Sequence, residues 1–579
     1  MSQKLNFFRL KLSDRDRIFV TFNFHYAKMS RNSAIIVIGF IVSGSLIFMT
    51  GLGRVHLFDW DEINFAESAR EMLVTGDYLN VQVNFETFWE KPPLFIWMQA
   101  LSMKLFGVNE FAARFPNAVA GIVTLLVLFF IGKKLKDESF GFLWSMLYAC
   151  SFLPFFYFKS GIIDPWFNLF IFLGIYFMIR YTSPVNLRLN GLQAVLSAFF
   201  LGLATLTKGP VGFLIFGLCF IVYLIIKRFR LKFKWTHLLA FAGVFLFTGG
   251  FWFILQILNG HFSIIRDFVI YQIRLFRTED AGHGGFPLYH FIILYFGVFP
   301  ASFFAVATFR RRILQKENNP ETAHFFRWMM ITLWVVLILF SIVRTKIVHY
   351  SSLCYFPITF LAAWYIDKWM HGKLKAGKII LVPLLVTGIV LGVIVAVIPF
   401  FDSYKQLLIP YIHDEFTVGN LQATSQWMGF EWIIGLILVS TVILFALFRK
   451  DAPRAVFTLL SGCLLFIYSA VLFITPQVEK YSQHAAIEFY KDKRGEDCYI
   501  YPIHKSYAHY FYSDRQPANK NADQQFLQRG NIDKTTYFVL RDQTKEKTAF
   551  LQETKDAVQL YSKNGFAFFA RYPNKAVIK

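Results

Sequence analysis

Through its first 475 positions the chain alternates long apolar runs with short polar clusters, and beyond them the pattern changes. Runs at 34–52, 115–132, 139–160, 164–181, 191–207, 210–226, 236–258, 287–308, 327–343, 350–366, 378–400, 431–449 and 455–474 each approach the roughly 20 residues that a helix needs to cross ~30 Å of hydrocarbon. They predict an all-α polytopic membrane protein of about 13 transmembrane helices. The run at 94–106 is shorter and carries Lys104, so it is expected to lie along the outer interface. After residue 475, polar clusters alternate with strand-like runs such as Cys498-Tyr499-Ile500-Tyr501, Thr536-Tyr537-Phe538-Val539-Leu540 and Phe566-Ala567-Phe568-Phe569-Ala570, with a helical pattern near 543–556. That pattern is expected of a small C-terminal α/β domain outside the membrane. The organisation is then an N-terminal cytoplasmic segment (1–33), a transmembrane domain (34–475) whose first outer loop is 53–114, and the C-terminal domain (476–579).

Composition agrees: 56% of residues are apolar, 19% aromatic and 17% charged, too greasy for a soluble chain of this length. The net charge of +22 would suit nucleic acid, but the Lys and Arg residues sit in short clusters between apolar runs. That is the mark of cytoplasmic loops on an anionic leaflet, and nucleic-acid binding is not expected. With the N-terminus inside, Lys133–Lys136, Arg180–Arg188, Lys227–Lys234, Arg310–Arg312, Lys368–Lys378 and Arg449–Lys450 all fall on the cytoplasmic side, provided 94–106 does not cross. No cleavable leader is evident in the first 33 residues, so the first span is expected to remain as an anchor. Four of five cysteines lie in apolar runs and Cys498 is alone, which leaves no disulfide framework and no CxxC metal knuckle.

The outer face then collects the candidate chemistry. Asp59-Trp60-Asp61-Glu62 and Trp89-Glu90-Lys91-Pro92-Pro93-Leu94 place ionisable groups beside a membrane, where charge is usually functional. Residues 61–76 read as a helix lying flat on the surface, with Phe65, Ala66, Ala69, Met72 and Leu73 on one face. Asp61 and Glu62 would sit in its first turn, either as caps or facing a site. Pro92 holds Lys91 in an extended hinge, where it would grip a lipid phosphate as a point charge or merely snorkel to the interface. Arg266, Arg274 and Arg277 recur at near-helical spacing, either as a cationic face or as interface anchors. Thr207-Lys208-Gly209-Pro210 reads as a tight outer turn, and His349 lies close to Lys346 in the outer segment 344–350.

The string from Asp61 to Leu73, with Glu90-Lys91-Pro92-Pro93-Leu94, Arg114-Phe115-Pro116, Asp164, the 207–210 turn and Lys346-Ile347-Val348-His349-Tyr350, resembles the polyprenyl-phosphate-sugar glycosyltransferases of the GT-C fold. The branch is that of the bacterial aminoarabinose transferases of lipid A and the protein O-mannosyltransferase relatives. The resemblance implies transfer of a sugar from an undecaprenyl or other polyprenyl phosphate to a lipid A-like glycolipid, another glycan or a protein hydroxyl. It places the protein in the bacterial inner membrane with its site facing the periplasm, and it implies no nucleotide cofactor. Asp61, Asp164 and Glu62 would be the catalytic carboxylates. Lys91, Arg274, Arg277, Tyr350 and Lys346 would hold the donor phosphate. A divalent metal, zinc or magnesium, would sit between Glu90 and His283. Where the branch commonly has Arg-Tyr, this chain has Asn64-Phe65, which removes a cation and a hydroxyl. A transporter or flippase of a lipid-linked substrate is the alternative; it calls for charge near the midplane and paired halves.

Overall fold

The computed structural model describes residues 30–185, 189–231, 233–277, 284–310, 317, 319–520 and 523–573, with backbone alone for 275–277. Helix occupies each of the thirteen predicted ranges. Among the described residues, seven helices are long and apolar enough to cross a membrane alone, or nine if each of two bent pairs counts as one. Helices Glu138–Ala149 and Phe152–Phe158 meet at 77°, and Tyr289–Gly297 and Ala301–Ala307 at 117°, where the sequence pattern implied straight crossings. Proline explains both breaks. A proline offers no N–H and fits poorly into a helix interior, and Pro154 and Pro300 stand within a few residues of where the preceding helices stop, at Ala149 and Gly297.

One apolar core runs through the helical bundle, built from residues of the first helix, Arg31–Met49, through Ile474. Helix Leu94–Phe106 packs one face on its neighbours and leaves Leu101, Leu105 and Phe106 exposed on the other. The C-terminal region forms a four-stranded sheet. Tyr499–Pro502 runs parallel to Thr536–Arg541, which pairs antiparallel with Phe566–Arg571, which in turn pairs with Val558–Lys563. The last of these was absent from the sequence reading because its six residues are all exposed and half of them polar, as befits an edge strand.

Helix Asp61–Thr75 departs from expectation. Every residue from Glu62 to Met72 is buried, polar ones included. Its apolar face packs on helix Leu94–Phe106, and its polar face is covered by the C-terminal domain instead of lying open on a membrane surface. Arg70 donates to both carboxylate oxygens of Glu67, at 2.8 and 2.7 Å, and to Asp514 at 3.1 Å. The loop before this helix is held by the same domain: Leu57 N–H donates to the Tyr512 hydroxyl at 2.7 Å, and Tyr507 N–H to Asp59 at 3.2 Å. Burial keeps the Asp59 carboxyl above its ordinary range.

Candidate active site

A cavity of about 390 Å³ opens where the outer loops meet the helix ends. Its polar wall carries Asp61, Glu90, Lys91, Asp164, Lys208, His349 and Tyr350. Its apolar wall comes from the spans, through Phe167, Leu214, Ile215, Leu339 and Phe340.

Local chain chemistry fixes each polar group. Asp164 opens helix Asp164–Tyr181 with Pro165 behind it, a position where the helix dipole favours a carboxylate and proline presets φ. The turn before it is tied down by Asn117, whose Nδ2 donates to the carbonyls of Ser160 and Ile162 at 2.6 Å each. Lys208 ends helix Gly191–Lys208, which Gly209 stops at φ +94°; a Cβ there would come within 2.5 Å of Phe268. The Lys208 ammonium donates to Asp164 Oδ1 at 2.7 Å and stands 5.6 Å above the Tyr350 ring. Asp61 and Asp164 share one imidazole neighbour, with His349 Nε2 at 3.5 Å from Asp61 Oδ2 and 4.0 Å from Asp164 Oδ2. Burial lowers the affinity of His349 for a proton. Lys208 and Lys91 act in the same sense, while Asp164 and Asp61 oppose it, so all four charges bear on this ring.

Glu90 and Lys91 form a second cluster. Lys91 Nζ lies 3.9 Å from Glu90 Oε2 and 5.3 Å from the centre of the Tyr271 ring, and the Tyr271 hydroxyl donates to Glu90 Oε2 at 2.9 Å. Tyr271 was not singled out in the sequence. It belongs to helix Phe262–Arg277, the helix that the arginine spacing had suggested. Trp60, between Asp59 and Asp61, takes φ +95°, a strained backbone for a residue with a side chain. Lys505 and Tyr507 of the C-terminal domain hold its ring, the former at 4.2 Å.

The structure thus gathers Asp61, Asp164, Glu90, Lys91 and Tyr350 around one cavity and corrects other expectations. Glu62 borders the cavity but is engaged elsewhere. It takes a paired contact from Arg114, at 2.7 and 2.8 Å, and accepts the N–H groups of Phe58, at 2.7 Å, and Gly161. Arg114 also donates to the carbonyls of Leu52, Val55 and His56. Glu62 therefore positions the loop and is not placed to move a proton. Lys346 is not available to a phosphate: its ammonium donates to the carbonyls of Phe340, Ser341 and Val343, at 2.8, 2.8 and 2.5 Å, closing the end of helix Pro320–Ile342. Arg274 is exposed and stands 5.2 Å over the Tyr271 ring, outside the residues lining the cavity. The Arg277 side chain and His283 lie outside the described residues. Glu90 alone, already bonded to Tyr271, makes no metal centre among the described residues. Phe65 packs edge-on against Phe95 at 6.1 Å.

Cationic side chains beside a pair of carboxylates, backed by an apolar wall, can receive an amphiphile with an anionic head and stabilise a leaving oxyanion. The family described as dolichyl-phosphate-mannose-protein mannosyltransferase matches residues 90–252. The chain is 25% identical over 361 residues to the undecaprenyl phosphate-alpha-4-amino-4-deoxy-L-arabinose arabinosyl transferase of Aeromonas hydrophila, covering 62% of this chain and 65% of that protein. Transferase 1 of that description from Proteus mirabilis is 26% identical over 317 residues, covering 54% and 56%. The matched stretch thus spans less than two thirds of these relatives. In three dimensions the chain superposes on ArnT from Cupriavidus metallidurans bound to undecaprenyl phosphate with a TM-score of 0.72 and 16% identity, covering 95% of this chain and 100% of that one.

Proposed function

We propose that this chain, a membrane protein of the GT-C fold similar to the aminoarabinose transferases, is a glycosyltransferase that takes a sugar from an undecaprenyl or related polyprenyl phosphate. The observation that carries the reading is the two-sided cavity. Lys91 and Lys208 stand beside Asp61 and Asp164 at its polar wall while membrane-helix side chains line the rest. The donor phosphate docks at Lys91 and Lys208, beside Tyr350, and its departing oxygen is stabilised by the same ammonium groups. Asp61, a third exposed, accepts the proton of an acceptor hydroxyl or orients an acceptor that is already anionic. Asp164, 3% exposed, is the buried counter-charge that aims Lys208.

The protein crosses the bacterial inner membrane with thirteen spans and its cavity faces the periplasm, where a lipid A-like glycolipid, another glycan or a protein hydroxyl serves as acceptor. Asn64 and Phe65 leave the family's Arg-Tyr cation and hydroxyl out of the first-loop helix, which favours an acceptor that does not need them. The metal expected from the resemblance would require His283 to reach Glu90, and no step here depends on it. The transporter or flippase alternative is not favoured, since the charges gather at one end of the bundle and the named relatives are transferases.

The reading is tested by incubating purified protein in liposomes with labelled undecaprenyl-phosphate sugars and a bacterial membrane extract. Asp61→Asn is expected to lower label transfer by about 10²–10⁴-fold and Lys91→Ala by about 10²–10³-fold. Equal transfer by wild type and both variants overturns the assignment.

A further inference from the structure

Away from the cavity, where the first outer loop meets the start of the C-terminal domain, two imidazoles converge on one carboxylate. His56 Nδ1 lies 3.0 Å from Glu479 Oε1, and His484 Nδ1 lies 3.0 Å from Glu479 Oε2. The two rings are tilted by 35°, with centres 4.9 Å apart. One ligand atom from each residue lies within 4.8 Å of the other two, and no second group of this kind occurs among the described residues. We propose that His56, Glu479 and His484 form a binding site for a zinc-type divalent ion, distinct from the sugar-transfer cavity, that clasps the loop carrying Asp61 to the C-terminal domain.

Two imidazoles and a carboxylate are a zinc ligand set, with a fourth position left for water. Zinc bonds of about 2.0–2.2 Å set tetrahedral ligand atoms about 3.3–3.5 Å apart, so small side-chain rotations complete the site. His56 and Glu479 are buried and held by packing, whereas the His484 side chain is 32% exposed and leaves an entry path. The outer shell suits the ion as well. When Nδ1 of His56 is a ligand its proton resides on Nε2, and Glu488 Oε1 stands 3.4 Å from that nitrogen to accept it. Lys491 Nζ, now 2.7 Å from His56 Nε2, is also 3.4 Å from the same Glu488 oxygen and turns to it.

The backbone around His56 ties the ion to the cavity. The His56 carbonyl accepts from Arg114 at 2.9 Å, the guanidinium that also grips Glu62. Leu57 is held through its N–H by Tyr512 and through its carbonyl by Gln483, at 2.6 Å. Fixing His56 therefore fixes the start of the segment that presents Asp61.

Cobalt titration of the full chain, purified in nanodiscs and stripped with chelator, tests the site. One equivalent of Co²⁺ is expected to bind with the visible absorption of a four-coordinate centre and to be displaced by Zn²⁺. His484→Gln is expected to abolish the signal. His484→Cys, which restores a ligand, is expected to recover it with an added thiolate-to-cobalt charge-transfer band, which separates a lost ligand from a lost fold. Glu90→Gln, at the other candidate metal position, is expected to leave the signal intact. Absence of a cobalt centre in wild type, its persistence in His484→Gln, or its loss in Glu90→Gln each overturns the proposal.

Discussion

Lysine side chains at the outer helix ends have two separate uses. Lys346 and Lys159 close helices: Lys159 Nζ donates to the carbonyls of Ile47, Phe48 and Thr50 at the end of helix Arg31–Met49, as Lys346 does for Pro320–Ile342. Lys91 and Lys208 instead face the cavity beside carboxylates. Paired substitutions separate these uses. Lys91→Met, whose neighbour Glu90 is 31% exposed and 3.9 Å away, is expected to cut sugar transfer by about 10²–10³-fold while leaving the melting temperature near wild type. Lys346→Met orphans buried carbonyls and is expected to destabilise by about 1–3 kcal/mol, read as a lowered melting midpoint. At this scale the sequence singled out Asp61, Glu90 and Lys91 as charges beside a membrane, and the family resemblance added Asp164 and Tyr350; all five line the same cavity. The sequence was misleading for Glu62 and Lys346, since a charge beside a membrane looks the same whether its partner is a substrate or a backbone carbonyl. Tyr271 left no signal beyond its place on an amphipathic helix.

Helix Asp61–Thr75 was expected on its apolar face and not on its polar one. Its periodicity named Phe65, Ala66, Ala69 and Met72, and these are buried. What periodicity cannot carry is a partner several hundred positions away. Asp514 and the segment around Tyr510 cover Glu67, Arg70 and Glu71. One result is a protonated carboxyl: burial, reinforced by neighbouring Glu67, pushes Glu71 up from 4.5 to about 9. A carboxyl that holds its proton in the fold to about pH 9 but loses it near 4.5 when unfolded contributes stability that is complete below about 4.5 and is lost as pH rises toward 9. The wild-type melting temperature is therefore expected to fall between mildly acidic and mildly alkaline buffer. Glu71→Gln, which cannot ionise, flattens that slope in a fluorescence-monitored melt; an unchanged slope would show that another group sets it.

For the molecule as a whole, hydropathy located every helical range of the bundle, but not the 77° and 117° bends that single prolines introduce. The proposed topology of thirteen crossings would place residues 78 and 411 outside and residues 375 and 450 inside. The five natural cysteines are buried, so introduced ones report cleanly. A membrane-impermeant maleimide is expected to label Tyr78→Cys and Tyr411→Cys in intact spheroplasts, and Lys375→Cys and Lys450→Cys only after permeabilisation. If the 289–307 pair turns back without crossing, sidedness inverts after it and Tyr411→Cys becomes protected. The C-terminal strands were legible where they are apolar, yet their role was not, because nothing local says what a surface will meet. That meeting has a consequence in time. His56 and Glu479 are 423 positions apart, so at about 5–20 residues per second a ribosome needs roughly 20–85 s to deliver the second after the first. Throughout that interval the spans can already be in the bilayer while the Asp61 loop has nothing to close against. The Asp61 loop thus reaches its packed geometry only after the segment carrying Glu479 and His484 has been made, and the proposed transfer has to wait for that segment.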